Sequence, residues 1–257
     1  MSFAFSVYLC SPNIYQTKKN MDYEELNYQV TSRERELEMS TVFATLMRKV
    51  YLWMTLALVI TGFTAYAVAS RNSLTELIYG NSNVMWVLII VELALVIGIS
   101  AAINKISLTV ATLLFVLYSV VNGAVLSSIF FVYTAESIYV AFFVAAGTFA
   151  VTSLFGYFTK KDLSTWGRIL MMALIGLIIA SIVAIFVPSI NPLLSYIGVA
   201  IFVGLTAYDT QKIKQMCLQA PDAGESMQKL ALLGALSLYL DFINLFLYLL
   251  RIFGRRE

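Results

Sequence analysis

The chain has 257 residues, of which 60% are hydrophobic and only 12% charged, a composition that excludes an ordinary soluble domain and predicts a polytopic membrane protein. Its net charge of +2 argues against a nucleic-acid partner, and the absence of histidine excludes His-based catalytic triads and zinc or haem sites that need an imidazole ligand. The two cysteines have no paired spacing, so no structural disulfide is expected.

The first 49 residues are polar and carry charges of both signs, which predicts a cytoplasmic N-terminal tail ending in a surface helix. Residues 50–257 are predicted to form one all-α transmembrane domain. A spanning helix needs about 20 mostly apolar residues, and the sequence offers seven such stretches. They are Val50–Ala69, Val84–Ile103, Ser107–Phe131, Ile138–Phe158, Ile169–Val187, Pro192–Gln211 and Leu230–Ile252.

Prolines predict where two spans are separated, and basic residues predict how the spans are oriented. The uncharged run from Ile169 to Tyr208 contains Pro188, Asn191 and Pro192, which predict a tight turn between the fifth and sixth spans. Basic residues concentrate on one set of connections, which predicts a cytoplasmic N-terminus by the positive-inside rule. These residues are Arg48, Lys49, Lys105, Lys160, Lys161, Arg168, Lys212, Lys214 and Lys229.

The C-terminal tail is harder to orient. Strict alternation places it outside, although Arg251, Arg255 and Arg256 favour the cytoplasm. The last segment therefore either crosses the membrane or dips in and returns. We expect a full crossing because Leu230–Leu250 is long enough to span.

A polar stripe runs along the last segment, whose other residues are mostly Leu, Phe, Ile and Ala. Facing lipid would leave such groups unpaired, so we expect this helix to lie among the other helices or along a water-filled cavity. The stripe consists of Gly234, Ser237, Asp241, Asn244 and Tyr248, with Arg251 near its edge.

Asp209 and Asp241 are the acids at issue, each near the cytoplasmic half of one of the last two spans. If the sixth helix continues past Asp209 through Lys212 and Met216, the two carboxyls reach a similar depth. Carboxylates about 5 Å apart at an effective dielectric near 20 repel by roughly 3 kcal/mol, or about two pKa units. Such a pair would share one proton and act as a pH sensor without histidine. The alternatives are a local pair of Asp209 with Lys212, and a hydrogen bond of Asp241 with Ser237, Asn244 or a neighbouring backbone group.

Glu92 is the third acid within a span, near the middle of the second segment. It is a candidate pore-lining residue, together with Asn122, Asn244 and Arg251. Alternatively, Glu92 pairs with a basic neighbour, or it is neutral and hydrogen-bonded to Tyr118 or Asn122.

Two motifs resemble those of one membrane protein family. The segment from Ser237 to Phe246, SLYLDFINLF, which continues to Leu249–Gly254, is similar to the last-helix signature of the Bax inhibitor family, the transmembrane Bax-inhibitor-motif proteins. The segment Ala207–Ile213, AYDTQKI, resembles the motif that ends the family's sixth helix. The resemblance covers the chain from about residue 40.

This resemblance implies a central seventh helix surrounded by six others, and a pH-sensitive calcium leak. It also implies that Asp209 and Asp241 form the family's aspartyl dyad. A bacterial relative of this kind has an arginine latch at the end of the second helix; aligning through Glu92 places Ile103 there, with Lys105 as the candidate substitute. Lysine cannot make the two-pronged contact of arginine.

The leading prediction is thus a passive cation leak for Ca²⁺ in a bacterial inner membrane, whose gate is controlled by protons that bind Asp209 and Asp241. We expect no cofactor, and transient Ca²⁺ binding at the same two residues. The alternative is a non-conducting regulator that binds other membrane proteins such as proteases. We do not expect an enzyme: Tyr208-Asp209 matches one half of a presenilin-type protease site, but Leu238–Asp241 lacks the glycines of GxGD. A retinal protein is also disfavoured, because the last span has no interior lysine.

Overall fold

The computed structural model describes residues 12–219 and 224–255, and these residues form nine α-helices and one 3₁₀ turn. Residues 1–11 of the predicted tail, and Arg256 beside the C-terminus, lie outside the described ranges. In chain order the helices are α1 (Pro12–Ala69), α2 (Asn72–Tyr79), α3 (Ser82–Ala102), α4 (Leu108–Leu126), α5 (Ile129–Val132), α6 (Ala135–Phe158), α7 (Ser164–Phe186), α8 (Asn191–Gln219) and α9 (Glu225–Phe253).

Seven helices in the described part of the chain are long and apolar enough to cross a membrane, which confirms the predicted all-α fold. The described ranges contain two further short helices: α2, which the sequence analysis missed, and α5, which ends the third span. The seven spans are Thr41–Ala69, Ser82–Ala102, Leu108–Val132, Ala135–Phe158, Ser164–Ala184, Asn191–Cys217 and Glu225–Phe253.

The chain divides into two compact units, residues 1–44 and residues 45–257. The first unit contains part of α1. The second contains the rest of α1 and all the later helices. The boundary predicted at residues 49 and 50 falls within α1.

Turn residues determine where several helices begin and end. α7 ends at Phe186, a 3₁₀ turn occupies Pro188–Ile190, and α8 begins at Asn191, so the predicted break lies where the prolines indicate. Ser107 caps α4 by accepting a hydrogen bond from the backbone N–H of Val110. Such caps satisfy amides that have no partner inside the helix.

The last helix is the most buried element of the second unit. About 67% of the apolar window of α9 is buried, against 6% for α3. α9 packs against α4, α6 and α8, and it is one uninterrupted helix, as a full crossing requires. The expected arrangement, with a central C-terminal helix, is therefore the one found.

Small residues allow the helices around α9 to approach closely. A Cβ at Gly156 of α6 would collide with the backbone carbonyl of Ala207 in α8, so the two helices touch backbone to backbone at this point. Gly198 of α8 likewise leaves room for the ring of Tyr248 from α9. Close approach at small residues is a principal source of attraction between helices in lipid, where apolar burial gives no advantage.

Candidate functional site

Asp209 lies about three turns before the end of α8 and faces α9. The hydroxyl of Ser237 donates a hydrogen bond to its carboxylate, and this bond joins the two helices. Because α8 continues to Gln219, Asp209 reaches the level of Ser237, in agreement with the extension that the sequence analysis required. Ser237 had been considered a partner for Asp241; it bonds to Asp209 instead.

Asp241 lies one turn further along α9, about 6 Å from Ser237 along the helix axis. Its side chain is 5% exposed, and Oδ2 is buried without a hydrogen-bond partner among the described residues. Asp241 interacts electrostatically with Asp209. Asn244, the other suggested partner, donates its side-chain amide to the carbonyl of Leu240 at 2.8 Å. The structure thus brings the two acids close to each other.

A cavity of about 250 Å³ opens beside Asp209, at the end of the bundle where α8 ends and α9 begins. Lys212 of α8 lines it and interacts electrostatically with Asp209, while α3 contributes Ser100. Lys212 also lies 5.9 Å from the centre of the Tyr208 ring. Lys212 thus acts on Asp209 electrostatically, but the two side chains form no ion pair among the described contacts, so the local pair considered from the sequence is not found there.

Lys105 is exposed in the connection after α3 and is not among the described residues that line this cavity. Ile103, at the aligned latch position, is 3% exposed and belongs to the apolar core. Among the described residues, Lys212 of α8 is the cation that interacts with Asp209, and a latch at Lys105 stays a prediction.

Glu92 is bound to α4 and is not paired with a described basic residue. The amide of Asn122 donates to its carboxylate, and the hydroxyl of Tyr118 donates to the same oxygen at 3.4 Å. These are the hydrogen bonds named in the third of the alternatives weighed from the sequence, whereas pore lining by Glu92 or Asn122 stays a prediction. The contact ties the middle of α3 to α4, because both donors lie one turn apart on α4.

The sequence analysis missed a hydrogen-bonded network that connects Glu92 to the central helix. Tyr239 of α9 is fully buried and donates to Oδ1 of Asn122 at 2.9 Å. Thr61 of α1 lies 2.6 Å from the same hydroxyl and also reaches the carbonyl of Ser119 at 3.0 Å. Four helices, α1, α3, α4 and α9, therefore meet in one chain of polar groups. The sequence analysis had singled out Glu92 and Asn122 but not Thr61 or Tyr239, whose only signal is a polar side chain inside an apolar span.

Arg251 lies at the opposite end of α9, about 15 Å from Asp241 along the axis. It is exposed and stands over the ring of Tyr248, with its guanidinium carbon 5.3 Å from the ring centre. It does not join Glu92 or the two aspartates in the described contacts. Pore lining by Arg251 or Asn244 stays a prediction.

Metal ligands do not cluster in the part of the chain that the structure describes. No group of three or more histidine, cysteine, aspartate or glutamate side chains there could hold a metal ion. The arrangement offers two neighbouring carboxyls and one serine hydroxyl, too few oxygens for a Ca²⁺ cage of six to eight ligands. Transient binding at Asp209 and Asp241 stays a prediction.

The loop between α6 and α7 is hydrogen-bonded to α8 next to Asp209. The buried amide of Gln211 donates to the carbonyl of Lys161 at 2.7 Å and accepts from the N–H of Leu163 at 2.8 Å. In the same loop, Asp162 accepts from the hydroxyl and N–H of Ser164, and these bonds hold the pKa of its exposed carboxyl below its ordinary value. The α6–α7 loop is thus fixed to α8 within one turn of Asp209.

Comparison with known proteins gives consistent matches over most of the chain. The family model described as "Inhibitor of apoptosis-promoting Bax1" matches residues 43–257. The inner membrane protein YbhL of Escherichia coli (strain K12) is 53% identical over 216 residues, which cover 83% of this chain and 92% of that protein. An uncharacterized protein of Borreliella burgdorferi is 44% identical over 230 residues, covering 89% and 98%. Uncharacterized protein RP147 of Rickettsia prowazekii is 40% identical over 213 residues, covering 82% and 89%.

Proposed function

Because the chain belongs to the Bax inhibitor family and has seven candidate spans, we propose that this membrane protein is a passive cation leak that transports Ca²⁺. A proton shared by Asp209 and Asp241 controls its gate. By likeness to the inner membrane protein of Escherichia coli, its site of action is a bacterial inner membrane.

The observation that carries this proposal is the isolation of Asp241. Its buried Oδ2 has no hydrogen-bond partner among the described residues, and the charge nearest to it is that of a second carboxyl. An ionised carboxylate buried without a partner is costly in any protein interior, and more so in a membrane. Either a shared proton or a passing cation removes this cost, and the two compete for the same oxygens.

The contact between α8 and α9 is where this competition would change the structure. With one proton on the pair, only one negative charge lies between the helices, and the Ser237 hydroxyl bonds to Asp209. When that proton leaves, two negative charges face each other across the contact and push the helices apart. Lys212 lessens the repulsion from the cavity side.

Weak binding suits a leak. An ion that passes must leave as easily as it enters, so a site with two carboxyls serves conduction better than a complete cage would. The short list of oxygen ligands near Asp209 and Asp241 fits this requirement.

Ca²⁺ uptake into proteoliposomes across a pH series tests the proposal. We compare the wild type with Asp209→Asn, Asp241→Asn and the double variant, each of which removes one or both ionisable groups while keeping the side-chain shape. Glu76→Gln is the matched control, since Glu76 is an exposed acid on α2. The expected result is Ca²⁺ uptake that varies with pH in the wild type and control and is independent of pH in the double variant.

Two outcomes oppose the proposal. Uptake with the same pH profile in the wild type and the double variant would remove the dyad from gating. No uptake above that of empty liposomes, with another membrane protein co-purifying in a fixed ratio, would support the non-conducting regulator instead.

A further inference from the structure

A second cavity lies at the other end of α8 and α9, far from the two aspartates. It has a volume of about 500 Å³ and lies where α7 ends, α8 begins and α9 ends. Of its nine described lining residues, six are polar. They are Tyr133, Ser181, Asn191, Ser195, Tyr196 and Arg251, with Ala184, Pro192 and Ile252 completing the wall.

The charge in this cavity is positive and unbalanced. Arg251 lines it, and none of its described lining residues is acidic. Within the described ranges the one ion pair is that of Lys229 with Glu225, near the start of α9, so Arg251 has no carboxylate partner there. Its guanidinium is held over the Tyr248 ring, which fixes its position and leaves its N–H groups free for a ligand.

The other polar groups divide into those already bonded and those that remain. Ser181 and Ser195 donate their hydroxyl hydrogens to the carbonyls of Leu177 and Asn191 in their own helices, at 2.8 and 3.0 Å. The side chains of Tyr133, Tyr196 and Asn191 have no hydrogen bond with another described residue. Two phenol hydroxyls and one amide can therefore donate beside the guanidinium, a set of donors that suits an oxyanion.

We propose that this cavity binds a phosphate-type oxyanion, with Arg251 as its principal ligand. Two sources carry that group at a membrane surface: the headgroup of an anionic phospholipid and free phosphate. The lipid is favoured by the surface next to the cavity, because Tyr196, Leu193 and Phe186 are 62%, 61% and 81% exposed and present apolar area to acyl chains.

The test measures thermal stabilisation of the purified full chain in a neutral detergent, without any measurement of ion flux. The three probes are dioctanoyl phosphatidylglycerol, dioctanoylglycerol, which has the same acyl chains without phosphate, and inorganic phosphate at constant ionic strength. We compare the wild type with Arg251→Gln and Arg251→Lys. Arg255→Gln is the control, because Arg255 is an exposed arginine near the same end of α9 and is not among the described lining residues.

We expect phosphatidylglycerol to stabilise the wild type and the Arg255→Gln variant. Losing hydrogen bonds to a charged group should weaken binding about 10- to 100-fold in Arg251→Gln. Arg251→Lys should retain part of the affinity, since lysine keeps the positive charge but cannot bind an oxyanion through two parallel N–H groups as the guanidinium does. Stabilisation by phosphatidylglycerol alone assigns the site to a lipid headgroup, and equal stabilisation by inorganic phosphate assigns it to the free anion.

Three results would overturn the proposal. Dioctanoylglycerol could stabilise as strongly as phosphatidylglycerol, which would show binding through acyl chains alone. Both Arg251 variants could respond as the wild type does, or no phosphate probe could stabilise the wild type. If Arg251→Gln fails to fold, Arg251→Lys compared with the Arg255→Gln control still decides between these outcomes.

Discussion

Replacing Tyr239 with phenylalanine removes one hydroxyl from the centre of the bundle and leaves the packing of the ring in place. The ring makes edge contacts with Phe115 and Tyr118, at centroid distances of 6.2 and 5.7 Å, and phenylalanine preserves both. The lost hydroxyl donates to Asn122 at 2.9 Å and lies 2.6 Å from Thr61. The substitution therefore isolates the polar contribution of the network.

The expected cost is about 1 to 3 kcal/mol. Hydrogen bonds between membrane helices contribute about 0.6 kcal/mol on average, so two contacts give about 1.2 kcal/mol, near the lower limit. The upper limit applies if Oδ1 of Asn122 finds no other donor, because leaving a buried acceptor unsatisfied costs up to about 3 kcal/mol in place of that average. Thr61 keeps its contact with the carbonyl of Ser119, which prevents a second unpaired group.

Reversible unfolding in mixed micelles, followed by circular dichroism, measures this free energy. Tyr66→Phe is the control, because Tyr66 lies on α1, is 62% exposed, and its hydroxyl has no hydrogen bond with a described residue. We expect the control to change stability by less than about 0.5 kcal/mol. A double-mutant cycle with Thr61→Val should give a coupling of about 0.6 to 1.7 kcal/mol. The reasoning is refuted if Tyr239→Phe is no more destabilising than Tyr66→Phe.

Three further substitutions test the contacts around the site. Gly156→Ala should destabilise the bundle by about 1 to 3 kcal/mol in the same unfolding assay, because the new methyl group meets the α8 backbone. Gly147→Ala is the control: its methyl group meets nothing within 4 Å, so it should stabilise the bundle slightly. Equal effects of the two substitutions would argue against a close contact between α6 and α8. Gln211→Ala should release the α6–α7 loop and increase its cleavage by trypsin several-fold. Unchanged cleavage would show that the hydrogen bonds of Gln211 do not keep the loop in place. Asp162 has a lowered pKa because Ser164 donates to it, so its contribution to stability is present above the ordinary value of about 3.9 and is lost as the pH falls further. The difference in unfolding free energy between the wild type and Asp162→Asn should therefore shrink between pH 5 and pH 3, and a constant difference would contradict this.

Hydrophobic length was sufficient to predict the seven spans, and Pro188, Asn191 and Pro192 predicted the break between the fifth and sixth. A membrane of fixed thickness constrains helix length strongly, and proline cannot continue a helix without losing a hydrogen bond. The position of α9 followed from its polar stripe, since such groups avoid lipid. The short helix α2 was missed because eight residues of mixed polarity give no spanning signal.

The side-chain partners were harder to predict than the helices. A helical stripe places Ser237 and Asp241 on the same face, which made a bond between them reasonable. The structure pairs Ser237 with Asp209 instead, because the relative height of α8 and α9 decides which group faces the hydroxyl. Tyr239 was overlooked for a similar reason: its partners come from α1 and α4, far away in the sequence. Helix register and rotation are set by packing, which one sequence does not display.

The central position of α9 also has a consequence for how the protein is made. The helix around which the others pack is the last of the described spans to leave the ribosome. Until it enters the bilayer, Thr61 and Asn122 lack the tyrosine that links them, and α6 and α8 lack a shared neighbour. The six earlier spans therefore lack their shared centre until α9 inserts, although α6 and α8 already pack directly on each other. Chains that stop before residue 225 should be preferred substrates of membrane quality-control proteases.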